Sequence, residues 1–215
     1  MNFKKGRSFY ERPYFFSESF MFILKDKLTF ININQAYLMH LHNNCAEVYY
    51  KPINYDNKPY LGILINNNKC QYVIPLSSAK KKHTLWKNVE ADRFLIYEIC
   101  DKKSISKNAF YKENVDGSIT HILSVLDLKK MLPIKDGLYK KVDLTANPND
   151  SIETRNYKNL MNKEYSFCLK ILDSIIKKAN KLYDRQIKTG KVIKFCCNFK
   201  LLEKKCIEYE MTNMC

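Results

Sequence analysis

The spacing of apolar and polar positions predicts several short strands in the first two thirds of the chain. Residues 28–33 form the first predicted strand, and Asn34 follows as a helix-capping residue for an amphipathic helix at residues 35–43. Residues 93–99 and 119–125 predict two further strands, separated by a polar loop at residues 101–117.

A β-hairpin is the clearest element in the sequence. Two apolar runs at residues 60–65 and 70–76 flank an asparagine-rich segment, and asparagine tolerates the left-handed backbone of tight turns. Pro75 lacks an amide hydrogen, so we expect the second strand to end there or to lie at a sheet edge. Either arrangement exposes the Ser-Ser-Ala-Lys sequence that follows.

The last third of the chain has helical spacing. One turn of helix is predicted at residues 127–132, ended by Pro133. From Asp150 to Gly190, apolar residues three and four positions apart predict one long helix, which a strand at residues 192–195 and a short helix at residues 201–209 follow. Strands and helices do not alternate, which favours an α+β fold with a mainly antiparallel sheet. We expect one domain at residues 28–215, after an N-terminal extension at residues 1–27 that could be partly ordered.

Charge narrows the choice of partner. Lys and Arg number 37 against 22 Asp and Glu, giving a net charge of +15 that favours nucleic acid or another polyanion. Fifteen Tyr and twelve Phe among the lysines supply stacking faces of the kind that single-stranded RNA uses, although aromatic residues are more often core. No apolar stretch is long enough for a transmembrane helix. Other interpretations are a solvated Lys-rich face, and a structural protein that binds DNA or an anionic membrane.

Metal and cofactor sites are not expected. The eight cysteines form no CxxC pair, and no histidine cluster lies near them to complete a zinc site. The short apolar run near residue 20 lacks a signal-peptide cleavage site, so we expect a cytoplasmic protein with reduced thiols.

Candidate chemistry is concentrated in LSSAKKKHTLWK at residues 76–87. Cleaving RNA without a metal requires a base near the 2′-hydroxyl, cations or donors around the phosphorane, and a proton for the leaving oxygen. Ser77 or Ser78 could donate to a phosphate oxygen, Lys80 could stabilise its charge or move a proton, and His83 could shuttle a proton or bind phosphate. The alternative is a solvated, flexible basic loop.

Several ordered motifs resemble the ToxN/AbiQ family of type III toxin–antitoxin endoribonucleases. They are KPYLGI at residues 58–63, YVIPLSSAK at residues 72–80, His83, LDLKKMLPI at residues 126–134, Tyr157-Lys158, and CNFKLLE at residues 197–203. The resemblance implies a compact, strongly twisted antiparallel barrel-like sheet with helices, similar to the MazF and Kid toxins. It also implies sequence-selective RNA cleavage without metal.

The resemblance also implies site residues. The family's Thr-Ser-Pro-Lys turn corresponds to Ser77, Ser78 and Lys80, with Ala79 in place of the proline. A family tyrosine corresponds to Tyr37 and a family lysine to Lys58, for which the alternatives are core packing and a solvated strand end. A basic groove for RNA is expected to draw on six residues: Lys81, Lys82, His83, Lys87, Tyr157 and Lys158.

By the same resemblance, the expected partner is a small repetitive RNA antitoxin. It would be folded into pseudoknots, cut from its precursor by the toxin, and closed with it into a ring. Cellular or phage RNA would be the substrate, with growth arrest or death of a phage-infected cell as the outcome. A non-catalytic RNA-binding protein is the alternative.

Overall fold

The computed structural model describes residues 22–50, 59–65 and 70–213, and this part of the chain folds as an antiparallel sheet with helices. The strands are β1 Ile23–Leu24, β2 Phe30–Ile33, β3 Tyr60–Ile65, β4 Gln71–Ser78, β5 Arg93–Cys100, β6 Tyr111–Glu113, β7 Ile119–Asp127, β8 Leu132–Ile134 and β9 Tyr139–Lys141. The helices are α1 Gln35–Asn44, α2 Ile152–Lys170, α3 Leu172–Thr189 and α4 Phe199–Asn213. None of the helices described is long and apolar enough to cross a membrane.

All strand pairs of this sheet are antiparallel, which confirms the α+β prediction. The main path runs β5-β7-β4-β3-β2-β9, while β1 adds to β3, β6 to β7 and β8 to β4. The predicted hairpin is β3–β4, and Asn34 caps α1 as expected by accepting a hydrogen bond from the Tyr37 amide. The hairpin turn itself lies outside the described residues.

Strand β4 continues through Pro75 and does not end there; of the two expected arrangements, the edge position holds locally, because no described strand pairs with Pro75 on the side away from β3. The strand pairs with β8 at Gln71–Val73 and with β7 at Leu76–Ser78, leaving Pro75 between the two partners. The Leu76 amide donates to Pro59 O on the β3 side at 3.3 Å. Because backbone N–H and C=O groups of successive residues point to alternate sides of a strand, the backbone nitrogen of Pro75 faces the gap between β8 and β7. The missing proline donor therefore removes no ladder bond, and the strand ends at Ser78 instead.

The helices pack on the sheet around a cluster of aromatic side chains. Tyr72 of β4 and Tyr183 of α3 are 0 and 1% exposed. Their ring centroids lie 6.1 and 5.9 Å from the ring centroid of Phe199 of α4. Both tyrosine hydroxyls donate to Glu203 Oε1, at 2.9 and 2.7 Å. One carboxylate oxygen therefore joins the sheet to two helices.

Three sequence expectations change in detail. The long helical stretch is present, but Ile171 interrupts it and divides it into α2 and α3. Residues 192–195 form no strand, so that prediction was wrong; after the left-handed C-cap Gly190 they are irregular, with a turn at residues 194–195. Within the stretch expected to be an extension, β1 pairs with β3 and the neighbouring Phe22 is 1% exposed in the core.

Candidate active site

A cavity of about 680 Å³ lies between the end of β4, the middle of β7 and the first two thirds of α2. Strand β4 contributes Leu76, Ser77 and Ser78, and β7 contributes Leu123 and Ser124. The helix wall consists of Glu153, Thr154, Tyr157, Leu160, Met161 and Glu164, and Asn32 and Pro59 complete the lining. The predicted Ser77-Ser78 pair is therefore part of a concave surface large enough for a small ligand or a nucleotide unit.

Ser77 and Ser78 are both exposed at the last two positions of β4. The pairing with β7 sets Ser77 opposite Val125 and Ser78 opposite Ser124. Directly opposed residues of an antiparallel pair share a face of the sheet, so Ser78 and Ser124 point to the same side. Strand pairing up to this point fixes the backbone of the two serines, while their hydroxyls remain accessible.

Lys80 is held by His83 in the turn that follows β4. The Lys80 amide donates to His83 Nδ1 at 3.0 Å, and the His83 amide donates to Lys80 O at 2.8 Å. The backbone of Lys80 is extended, with φ −139° and ψ 157°, and its side chain is exposed. These two hydrogen bonds fix Lys80 relative to the 3-10 turn at Lys81–Leu85, within three positions of Ser77 and Ser78.

His83 is 3% exposed, and burial together with the charges of Lys82, Lys80 and Arg93 lowers the pKa of its imidazole to about 4. The acceptor role of Nδ1 requires the neutral ring with its hydrogen on Nε2. The structure therefore assigns His83 a positioning contact with Lys80 rather than the exposed location that a phosphate-binding histidine would need.

The single tryptophan organises the cations beside this turn. Trp86 packs against the His83 ring at 4.5 Å, the Arg93 guanidinium lies 4.1 Å from its ring centroid, and Lys82 Nζ lies at 5.4 Å. We call the exposed lysines 80, 81, 82 and 87 the basic ridge. Cation–π contacts of this kind keep positive charge next to an aromatic face.

Tyr157 and Lys158 open α2 but have different surroundings. Tyr157 is 43% exposed and lines the cavity. Lys158 Nζ instead contacts both oxygens of Asp150, at 2.9 and 3.1 Å, and donates to Thr145 O at 2.8 Å. The Lys158 charge is thus largely compensated by the segment that precedes the helix.

One predicted catalytic residue that the structure describes, Tyr37, is not part of the cavity lining. Tyr37 is 0% exposed, and its hydroxyl donates to Pro133 O at 2.8 Å in the core, beside the ring of Tyr209 at 5.1 Å. This is the core-packing alternative. Lys58 lies outside the described residues, although its neighbour Pro59 lines the cavity.

The sequence did not identify the two buried polar residues of the cavity lining, Ser124 and Glu164, which are 2 and 4% exposed. Ser124 lies within the apolar run of β7, and Glu164 lies one turn beyond Met161 on the buried face of α2. The one sequence signal for these residues is that each is polar at a position whose spacing predicts that it faces the core. The sequence alone does not distinguish such a residue from a satisfied core group.

A possible metal-binding group lies outside the cavity lining. Glu98, Cys100 and His121 place ligand atoms within 4.8 Å of one another, the one such group found in the described ranges. Glu98 already contacts Lys163 Nζ through both oxygens, at 2.9 and 2.8 Å, and His121 Nδ1 at 3.0 Å. These contacts link α2 to β5 and β7.

Comparison with known proteins assigns the class. The family described as Toxin ToxN, type III toxin–antitoxin system, matches residues 29–206, and the chain belongs to this family. Among its relatives are endoribonuclease AbiQ of Lactococcus lactis subsp. lactis and endoribonuclease ToxN of Bacillus thuringiensis subsp. kurstaki. AbiQ is 28% identical, covering 87% of this chain and 92% of its own length. ToxN is 26% identical, covering 86% of each chain.

Solved structures show the same fold. One concerns selective inhibition of a type III toxin by a non-coding RNA pseudoknot; it has a TM-score of 0.64 at 24% identity and covers 86% of this chain and 99% of its own. The structure of AbiQ, a lactococcal anti-phage endoribonuclease, has a TM-score of 0.58 at 21% identity with the same coverage. At these identities the structures establish the shared fold.

Proposed function

We propose that this protein is a metal-independent endoribonuclease toxin that a repetitive pseudoknot RNA antitoxin inhibits. The observation that carries the proposal is the exposed Ser77-Ser78 strand end, which lines a cavity while Lys80 is fixed in the adjoining turn. Family membership and relatives named as endoribonucleases support RNA as the substrate. Sequence-selective cleavage, RNA-antitoxin processing and a role in phage defence extend the proposal.

The proposed reaction is attack by the ribose 2′-oxygen on the adjacent phosphorus, with departure of the 5′-oxygen. Its products are a 2′,3′-cyclic phosphate and a 5′-hydroxyl. Ser78, assisted by Ser77, donates hydrogen bonds to non-bridging oxygens, and Lys80 stabilises the added negative charge of the phosphorane. Charge-assisted donors of this kind strengthen as charge develops, which is how they lower the barrier.

RNA binding is assigned to the basic ridge and to Tyr157. Lysines 81, 82 and 87 contact phosphates, and Tyr157 offers a stacking face inside the cavity. Lys58 is retained as a proposed phosphate ligand. Tyr37 has no role in this proposal because its hydroxyl is used in the core, and His83 acts on Lys80 rather than on RNA.

The decisive experiment incubates purified protein with RNA in excess EDTA and identifies the ends of the products. We expect cleavage, with 5′-hydroxyl ends that a polynucleotide kinase labels without prior dephosphorylation. RNA that stays intact while bound would instead support the non-catalytic RNA-binding alternative. Preference for duplex DNA or for anionic vesicles over single-stranded RNA would support the structural-protein alternative.

Variants then test the assigned residues. We expect Ser78→Ala and Lys80→Ala to reduce cleavage at least 100-fold, as loss of a transition-state donor does, while folding and RNA binding persist. Ser174→Ala on α3 and Lys140→Ala on β9 are matched exposed controls that should cleave normally. Undiminished cleavage by both Ser78→Ala and Lys80→Ala would locate the active site elsewhere.

The antitoxin proposal has its own test. A tandem repeat array in the DNA upstream of the gene supplies a candidate RNA, which can be transcribed and mixed with the protein. We expect the toxin to cut it into repeat units and then to be inhibited by them. The mass of the complex under native conditions should equal a whole number of toxin–repeat pairs, as a closed ring requires.

A further inference from the structure

The hydroxyl of Ser124 is a buried polar group with no hydrogen-bond partner in the part of the chain that is described. The residue is 2% exposed and belongs to the lining of the cavity beside Ser77 and Ser78. Most buried hydroxyls are hydrogen-bonded, since an unsatisfied one destabilises the fold. An unsatisfied hydroxyl in the wall of a cavity is therefore a candidate ligand contact.

The local backbone explains the position of Ser124. It lies opposite Ser78 on one side and opposite Ile96 on the other, and the β5–β7 register shifts between Ile96 and Tyr97. The shift leaves Leu123 as an extra residue in β7, and both Leu123 and Ser124 line the cavity. A bulge that re-aims side chains is a recurrent feature beside functional sites.

The opposition of Ser78 and Ser124 places two hydroxyls on one face of the sheet. Directly opposed residues have Cβ atoms roughly 4.5–5.5 Å apart, so both hydroxyls can reach oxygens of the same phosphate once rotation about the Ser124 side chain turns its buried Oγ into the cavity. The facing wall on α2 carries the Glu153 carboxylate, whose lowered pKa keeps it negatively charged, so it repels a phosphate. The serine side is thus the favourable place for the phosphate.

We propose that Ser124 is a further substrate-contacting residue, whose hydroxyl donates a hydrogen bond to a non-bridging oxygen of the scissile phosphate beside Ser78. This inference rests on the proposed ribonuclease activity. Without RNA the Ser124 hydroxyl lowers stability, and with RNA it acquires an acceptor. Loss of this hydroxyl should therefore affect catalysis and stability in opposite directions.

The test is Ser124→Ala, assayed for single-turnover cleavage, RNA affinity and thermal unfolding. We expect the cleavage rate to fall about 10- to 100-fold, as for loss of a charge-assisted donor, with RNA affinity within about threefold of wild type. The melting temperature should stay the same or rise. Ser124→Cys, with a similar shape and a weak donor, should show the same loss of cleavage.

Thr120→Val is the matched control, because Thr120 is a buried hydroxyl residue on the same strand. It is 5% exposed, its Oγ1 donates to Asn114 Oδ1 at 3.0 Å, and it is not part of the cavity lining. We expect Thr120→Val to lower the melting temperature and to leave cleavage unchanged. The two substitutions should therefore separate stability from catalysis.

Other outcomes overturn the inference in distinguishable ways. One outcome is that wild type cleaves RNA and Ser78→Ala is defective, as proposed, while Ser124→Ala cleaves at the wild-type rate. That result would remove Ser124 from the site and leave the ribonuclease proposal intact. A fall in melting temperature as large as that of Thr120→Val would indicate a structural role. A wild-type protein that leaves RNA intact would overturn the ribonuclease proposal and this inference together.

Discussion

The buried histidine of the candidate site gives a quantitative prediction about pH and stability. His83 accepts a hydrogen bond from the Lys80 amide through Nδ1, which requires a neutral ring, and burial lowers its pKa from 6.5 to about 4. Protonation would place a new N–H against the Lys80 N–H and add a cation beside Lys82 and Arg93. The folded state therefore binds a proton less readily than the unfolded chain does.

The sign follows from proton linkage. Between pH 6.5 and about 4 the unfolded state carries the His83 proton and the folded state does not, so stability rises with pH across this window. The contribution is fully present above pH 6.5 and is lost as the pH falls towards 4. At 1.36 kcal/mol per pKa unit, the depression corresponds to about 3 kcal/mol.

Urea unfolding at several pH values measures this contribution in wild type and in His83→Asn. Asparagine keeps an acceptor oxygen near the position of Nδ1 but does not titrate in this range. We expect the free energy of unfolding of wild type, relative to the variant, to fall by about 3 kcal/mol between pH 6.5 and 4. Titration of carboxylates common to both proteins cancels in the comparison.

The control is His40→Asn, which replaces a half-buried histidine on α1. Its free energy of unfolding should keep the pH dependence that His83 gives to wild type. Parallel stability curves for wild type and His83→Asn from pH 4 to 6.5 would refute the reasoning. Such a result would mean that the ring is charged, or is not buried, in the folded protein. The hydrogen bond that positions Lys80 would then need a different explanation.

Two further predictions concern RNA binding and the core. Lys82→Ala and Lys87→Ala should each reduce the slope of log affinity against log salt by about 0.7, measured by fluorescence anisotropy with single-stranded RNA; an unchanged slope would exclude the phosphate contact. Glu203→Ala should lower the free energy of unfolding by about 2–5 kcal/mol, since Tyr72 and Tyr183 each lose a buried acceptor. Urea unfolding checks this, and a change below about 1 kcal/mol would contradict it.

Local signals in the sequence predicted the elements that depend on few residues. The Asn34 cap and the β3–β4 hairpin follow from residues close together in the chain. The interruption at Ile171 was not predictable because the apolar spacing continues across it. Residues 192–195 have strand-forming composition, but Val192 and Phe195 are 44 and 59% exposed, and the segment pairs with no described strand. Strand formation depends on a partner, which composition does not reveal.

In the candidate site, too, the residues close together in sequence were predicted and those that depend on distant pairing were not. The Ser77, Ser78 and Lys80 group was found from one contiguous segment. Ser124 reaches the cavity only through the register of β7 against β4, a pairing between residues far apart in sequence. Tyr37 has the spacing of a helix core residue, and its hydroxyl is satisfied by Pro133 O. A family correspondence does not distinguish that role from a catalytic one.

The family resemblance leads us to expect a proline in the turn after β4, but this chain has Ala79 at that position. A proline at this position would restrict its own φ and favour extended backbone at Ser78. In this chain Ser78 is extended because it pairs with β7, and Lys80 is extended between its two hydrogen bonds to His83. Both neighbours of Ala79 are therefore restrained without the proline ring. It follows that His83, rather than residue 79, determines how rigidly the backbone of Lys80 is held.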